Sequence, residues 1–324
     1  MIEASALSIL RSVVSPNLVN SPILDRIALG FFRRVPNKLA HHLMFLVQSE
    51  PAIPDAWGYH IRPIHYYEPI PDFRDVKREQ VERRRAPIAI EFRWEEQLKL
   101  LRQLTCQFGK ELRNLSCDSF NFDNDYFGGI DAAVYYSLIR HLAPKRIIEI
   151  GSGESTRIAS LALARNQAGS KPGRLTCIEP NPERLLDQNL EIELLRQNVE
   201  EIPRDYFDCL QANDILFIDS THTVKFGSDV CYEFLEILPN LTPGVWVHVH
   251  DIFFPNDYPA EWILERRLAL NEQYLLEAFL SFSNAYSVEL ANHWLSLDYS
   301  DALTALYPEA SPTTTASSFW MRRN

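Results

Sequence analysis

Short apolar, β-rich runs alternate with helical stretches from about residue 118 onward, which predicts an α/β fold with a doubly wound, mostly parallel sheet. The runs are apolar enough to be covered by helices on both faces. The first of them stops at a glycine turn that feeds a helix, the arrangement that places a ligand at the carboxyl end of such a sheet. Before residue 118 the pattern differs. The chain is therefore read as an N-terminal helical and irregular extension, 1–117, followed by an α/β domain, 118–324.

Within the extension, residues 1–50 read as short helices broken by Pro16, Pro22 and Pro36, with His41 and His42 as structural residues in an apolar run. Residues 51–72 are rich in proline and aromatics. Proline fixes φ and removes a donor, so this is an irregular arm rather than a helix. Packing is its default role, with His65 or Tyr66 as the residues to lend to a substrate pocket. The mixed charges of Lys77 to Arg85 read as a solvated helix face. From Trp94 the apolar residues fall at 94, 98, 101, 104, 108 and 112, the spacing of an amphipathic helix packed on the domain that follows.

In the domain, Arg146 to Ile150 is a buried strand and Ser155 to Ala164 a helix. Leu175 to Glu179, a stretch within Glu191 to Val199, Asp214 to Asp219 and Val245 to His250 supply four more strands. Val230 to Leu238 and Asn271 to Phe282 are helices, with Asp229 and Glu233 on a solvated face. Ala285 to Leu290 and Ser317 to Met321 are two candidate closing strands, and Ser311 to Ser318 is a small polar loop.

Composition narrows the function. The 324 residues are 46% hydrophobic and 11% aromatic, which excludes a disordered or fibrous chain. Lys plus Arg number 32 against 43 Asp plus Glu, a formal charge of −11, which argues against an acceptor or partner held by its phosphates, such as nucleic acid. The five cysteines are odd in number and form no C-x-x-C pair, so a reducing, cytoplasmic location is expected rather than a disulfide framework or zinc ribbon. No signal peptide is read at the N-terminus, and no apolar run approaches the roughly 20 residues of a membrane span.

Glu149-Ile-Gly-Ser-Gly-Glu-Ser-Thr156 sits where the first strand meets its helix. Gly151 and Gly153 let the backbone turn tightly and approach a ligand closely, and the helix start offers free N–H groups. Ser155 or Thr156 is placed to cap that helix. The third glycine of a dinucleotide fingerprint is replaced by Thr156, which disfavours a nicotinamide-dependent reductase. Glu179 ends the second strand, where an acid accepts hydrogen bonds from ribose hydroxyls. Val199 and Glu200 are read as the end of the third strand, beside an adenine ring.

These residues, with Ile178-Glu-Pro180, Asp214 to His222 and Gly244 to Asp251 in that order, resemble class I S-adenosylmethionine-dependent methyltransferases over roughly residues 120–324. The resemblance implies seven strands with the last antiparallel, and Ser318 to Met321 looks like that strand. It also implies that Gly151 and Gly153 flank the methionine portion of S-adenosylmethionine and Glu179 holds the ribose, with Glu149, Ser152 and Thr156 counted among the cofactor-binding residues. Asn124 to Asp131, with Tyr126 foremost, is the segment to close over the cofactor.

Asp219 and His222 follow the fourth strand, and His248, His250 and Asp251 end the fifth. Adjacent strands bring these ends to one rim beside the methyl group. His248 reads as a core histidine, and His250 is equally a ligand or a hydrogen-bonded support. Asp219 and Asp251 are alternatively cofactor contacts or loop anchors. Carboxylates and imidazoles suit Mg²⁺ or Mn²⁺, and an imidazole near neutrality suits removal of a hydroxyl proton. The D-x-x-H pattern with a downstream acid resembles metal-dependent sugar O-methyltransferases of the macrocin type. In that resemblance Asp219 and Asp251 take the metal, joined by His250 as a further candidate ligand, with Asp219 also counted in the catalytic pair beside His222, the base. His250 stands where those enzymes carry an acid. Phe253 to Pro259 and Trp262 follow directly, either to stack on a sugar or to pack a lid.

The expected activity is methyl transfer to a hydroxyl of a sugar or glycosylated small molecule. The expected partners are that small-molecule or glycan acceptor, with a second copy of the chain left open. Two other classes stay in view: an Fe(II) hydroxylase of the same fold type, distinguished by its metal and oxygen requirement, and a non-catalytic S-adenosylmethionine-binding module, distinguished by lack of product.

Overall fold

The computed structural model describes residues 62, 64–85, 87–115, 120–182, 190–309 and 315–324. The expected helices of 1–50, His41 and His42, most of the 51–72 arm and the start of the Ser311 to Ser318 loop lie outside these residues. The chain divides into two compact units, 1–72 and 73–324. In the first, His65, Tyr66 and Tyr67 are exposed and their rings lie against one another. In the second, α1 (Arg78–Val81) and α2 (Trp94–Arg113) precede the sheet. The amphipathic reading of α2 holds: Leu101, Leu104 and Leu112 are buried, while of its polar residues only Gln97 is buried with them, hydrogen-bonded to the Phe92 carbonyl and the Ala291 N–H. Among the described residues no helix is long and apolar enough to cross a membrane.

The rest runs α3 (Gly129–Leu142), β1 (Arg146–Ile150), α4 (Glu154–Ala168), β2 (Arg174–Ile178), β3 (Glu193–Leu195), β4 (Ile215–Ile218), α5 (Asp229–Tyr232), β5 (Trp246–Val249), α6 (Glu272–Leu280), β6 (Tyr286–Ala291), α7 (Asn292–Asp298), α8 (Ser300–Leu306) and β7 (Phe319–Arg323). A π-helical turn, Glu233–Ile237, continues α5. The strands form one seven-stranded sheet in the order β3-β2-β1-β4-β5-β7-β6, with β7 antiparallel to both neighbours. This is the expected doubly wound α/β sheet. Strand order reverses between β1 and β4, and a ligand crevice opens at such a switch point.

Side chains alternate along each strand, so the sheet carries two cores. Ile148, Ile150, Leu216, Ile218, Val247 and Val249 face one cluster with Phe234 and Leu276. Ile147, Leu175, Ile215, Phe217 and Trp320 face the other with Tyr135, Leu138, Ile158 and Leu104. Removing Phe217 or Trp320 to Ala would cost about 3–5 kcal/mol by the usual scale of buried aromatics.

Candidate active site

Register builds the rim. Ile150 pairs with Ile178 on one side and Ile218 on the other, and Ile218 pairs with Val249. The next residue of each strand, Gly151, Glu179, Asp219 and His250, therefore falls in one row, with neighbours a strand spacing of about 5 Å apart. Gly151 has φ +90° and a Cβ there would run into the carbonyl oxygen of Asp219. Only glycine permits both the turn and the close approach.

The glycine turn holds a neutral hydrogen-bond network beneath it. The Gly153 N–H donates to Thr156 Oγ1 at 3.0 Å, and the Thr156 hydroxyl donates to Glu149 Oε2 at 2.6 Å. Tyr135 donates to the other oxygen of Glu149 at 3.1 Å. Glu149 and Thr156 are fully buried on the α3–α4 face of the sheet. They support the turn from below, a correction to the expectation that they line the cofactor. Burial pushes the Glu149 carboxyl up to about 7 against the opposing hydrogen bonds from Thr156 and Tyr135. The Ser152 hydroxyl oxygen is buried and has no partner among the described residues. A buried orphan at such a turn awaits a ligand or water.

Glu179 stands at the crevice beyond β2, with one oxygen accepting the Asn181 N–H at 2.8 Å and no hydrogen bond to the other among the described residues. Val199 and Glu200 depart from expectation. The third strand ends at Leu195, and both residues lie on a short 3-10 turn, Val199–Glu201. Val199 is buried in the core and Glu200 is exposed. Tyr126 is 70% exposed on a loop that its own bonds hold: Asn124 Oδ1 accepts the N–H of Tyr126 and of Phe127 at 2.9 and 2.8 Å.

On the other half of the rim, His222 is the hub. Its Nε2 lies 3.3 Å from Asp219 Oδ1 and 3.6 Å from Asp251 Oδ2, and its Nδ1 lies 2.8 Å from Glu272 Oε2. His222 and Asp251 both have left-handed backbones, φ +57° and +55°. That conformation costs an ordinary residue about 1–2 kcal/mol, and sites are where such strain is kept. Burial alone pushes the His222 pKa down, but Asp219 and Glu272 outweigh it and hold it well above the ordinary value. Burial likewise raises Asp219, and the imidazoles of His250 and His222 reverse this, leaving it at about 2. Asp251 is anchored by the Ser317 hydroxyl at 3.1 Å and lies 3.6 Å from His250 Nε2.

His248 is a packed core ring. It is stacked 3.8 Å from Phe217 and bonded to Ser318 at 2.8 Å, and burial and His250 hold its pKa well below the ordinary value. Glu233 is not on a solvated face. It is fully buried, accepts from Ser220 at 3.2 Å, and burial with nearby Glu272 pushes its pKa well above the carboxylate range. Asp229 is tied to Thr221. The lid aromatics Phe253, Phe254 and Tyr258 are buried, so this loop packs rather than presenting rings to a ligand.

The expected metal set does not assemble as drawn. Asp219 and Asp251 close on His222, and among the described residues no group of three or more His, Cys, Asp or Glu side chains is placed to hold a metal ion. The donor types suit Mg²⁺, but their geometry serves an imidazole. Glu272 was missed because it lies fifty positions along the chain, in what reads as an ordinary helix start.

A family model described as a methyltransferase domain matches residues 148–252, from β1 through the loop after β5. An uncharacterized protein of Archaeoglobus fulgidus is 32% identical over 168 residues, covering 47% of this chain and 75% of that protein. Among solved structures, CmcI with Mg and SAM is similar at 16% identity and a TM-score of 0.36, over 60% of this chain and 71% of its own. The O-methyltransferase TomG from Streptomyces achromogenes, in complex with SAM, is similar at 15% and 0.38, over 69% and 88%. An O-methyltransferase from Bacillus cereus in complex with SAH is similar at 13% and 0.32, over 69% and 89%. The chain belongs to one family with the archaeal protein, and its residues 148–252 match a methyltransferase domain.

Proposed function

We propose that the chain is an O-methyltransferase whose acceptor is a hydroxyl of a sugar or glycosylated small molecule, with His222 as the base. The observation that carries this reading is the His222 ring, whose Nε2 is held between two carboxylates one strand away from the glycine turn. Gly151, the orphaned Ser152 hydroxyl and Glu179 fit the cofactor: a close backbone approach, a spare donor, and a carboxylate oxygen with no partner among the described residues. Bound there, S-adenosylmethionine supplies its sulfonium methyl group.

The residues then divide the work. Glu179 holds the ribose end. The resting His222 ring carries a proton on each nitrogen, so it releases the one on Nε2 to solvent before it takes the acceptor's. Asp219 and Asp251 stabilise the ring as that proton arrives, and they aim the hydroxyl. No step passes through a divalent ion, because both acids are engaged with His222. Net acidity supports an uncharged or small acceptor over a nucleic acid.

The test is turnover with S-adenosylmethionine and a panel of glycosides, alongside calorimetric cofactor binding. His222→Ala should cut kcat by about 10²–10⁴-fold and leave cofactor affinity intact. Equal loss of both would move His222 out of the chemistry. A chelator should not change the rate; if it abolishes turnover and Mg²⁺ restores it, the acids serve a metal instead.

A further inference from the structure

Helix α4 starts at the glycine turn and carries Arg165 ~17 Å along its axis, at about 1.5 Å per residue, to the end of the fold away from the rim. There a cleft of about 540 Å³ opens between α2, α3 and the turn after α4, with Phe108, Arg140, His141, Arg165, Asn166 and Lys171 among its walls. Its frame is fixed. Glu111 accepts from the Tyr136 hydroxyl at 2.5 Å and from Arg140 Nε at 2.9 Å, and Arg140 also donates to Asn166 Oδ1. The buried Asn166 side chain donates to the Ile139 carbonyl at 2.9 Å, and the Asn166 carbonyl accepts the N–H groups of Gly169 and Lys171 at 3.0 and 2.9 Å. These carbonyls near the ends of α3 and α4 are thus answered by other groups, and no nearby cation is spent on capping them. Arg165 and Lys171 are exposed, and neither side chain makes a hydrogen bond or an ion pair among the described residues.

We propose that this cleft binds a phosphate monoester, with the phosphate on Arg165 and Lys171 and the body of the molecule against Phe108. The charges match. Glu111 offsets Arg140, and His141 is neutral because burial pushes its pKa down, so Arg165 and Lys171 leave the cleft with two positive charges. A phosphate monoester carries about −1.5 to −2 at neutral pH and offers three acceptor oxygens, which suits a guanidinium fork beside an ammonium group. A carboxylate or a sulfate ester brings only one charge. The chain's formal charge of −11 does not oppose this. Salt screens exposed charges beyond about 8 Å, so a bound anion meets the two local cations rather than the average of the surface. Size sets the ligand class: the cleft falls within the roughly 300–1,000 Å³ of small-molecule sites and is far larger than a bare anion. Phe108 supplies the apolar wall, with the Arg140 guanidinium 5.6 Å from its ring centre.

Calorimetric titration of the full chain with phenyl phosphate tests the proposal. The unmodified protein should bind it, and more weakly as salt is raised. Arg165→Ala and Lys171→Ala should each raise Kd about 10–100-fold, the usual weight of a lost hydrogen bond to a charged group. Both side chains are exposed, so the thermal unfolding midpoint should not move and shows each variant to be folded. Glu179→Ala, in the cofactor crevice, should bind phenyl phosphate normally. Inorganic phosphate cannot use Phe108 and should bind roughly tenfold more weakly. The proposal is overturned if the unmodified protein does not bind phenyl phosphate at millimolar concentration, or if binding survives in the folded double variant of Arg165→Ala and Lys171→Ala. Loss of binding in Glu179→Ala would place the ligand in the crevice and overturn it equally. Equal affinities for inorganic and phenyl phosphate would make the cleft a site for a bare anion and overturn the ligand class.

Discussion

The two halves of the rim bury carboxylates one strand apart and treat them oppositely. Beneath the glycine turn, Glu149 is surrounded by neutral donors, Tyr135, Thr156 and Cys177, and its pKa is pushed up to about 7. On the neighbouring strand, Asp219 meets the imidazoles of His250 and His222 and is held at about 2. Burial raises both; a nearby cationic ring decides the outcome in one and is missing from the other. The lesson is a division of labour. The turn is scaffolding that tolerates a neutral acid, whereas the acid–imidazole cluster keeps its charges where proton transfer is expected.

Glu149→Gln tests the first half and carries the largest pH-dependent stability effect. The carboxyl has a folded pKa of about 7 against an ordinary 4.5. From pH 4.5 to 7 the folded protein keeps a proton that the unfolded chain has lost, so stability falls as pH rises through that window and levels off above it. The loss amounts to about 3 kcal/mol. Glutamine cannot titrate and should remove this slope, so urea midpoints of the variant and parent should converge at pH 4.5 and separate at pH 8 in favour of the variant. Parallel curves at all pH values would mean that Glu149 is charged at no cost, and the contrast with Asp219 would vanish.

Glu179→Ala probes the cofactor side of the same half. One oxygen of Glu179 is spent on the Asn181 N–H, so only part of its hydrogen-bonding capacity is left for a ribose. Loss of hydrogen bonds to a charged group is worth about 1.5–3 kcal/mol, and S-adenosylmethionine affinity should fall roughly 10–100-fold by calorimetry. An unchanged Kd would reduce Glu179 to a loop anchor.

Much of this was legible in the chain because it is local. Ile147, Ile148 and Ile150 announce a strand, Gly151 a turn that only glycine can make, and Trp94 to Leu112 a one-sided helix. The rim was foreseeable too, since neighbouring parallel strands align their ends. Depth was not legible. Thr156 and Tyr135 had to be seen in space before Glu149 became a buried support rather than a ligand contact, and Phe253 and Tyr258 had to be seen packed. Val199 failed because the strand stops at Leu195 before the polar Arg196, Gln197 and Asn198, and Val199 opens a separate 3-10 turn. Glu272 lay beyond local reading: an acid in a first helical turn is ordinarily a dipole contact, and only tertiary folding sets it against His222.

The smallest effect belongs to Tyr126, and it asks whether the cofactor half has a closing part at all. The ring is exposed while the Asn124 side chain fixes the main chain on both sides of it. The free protein gains nothing from the aromatic ring, so Tyr126→Ala should shift folding stability by no more than about 0.5 kcal/mol. If the ring closes over bound S-adenosylmethionine, the contact should be worth about 0.5–1.5 kcal/mol, a change in Kd of roughly tenfold at most. Tyrosine fluorescence gives a second reading, since closure transfers an exposed ring into a contact and the Tyr126→Ala protein should lose that signal change on titration. Equal affinities and equal fluorescence changes in the two proteins would leave the loop as a static wall, and cofactor retention would then depend on Gly151, Ser152 and Glu179 alone.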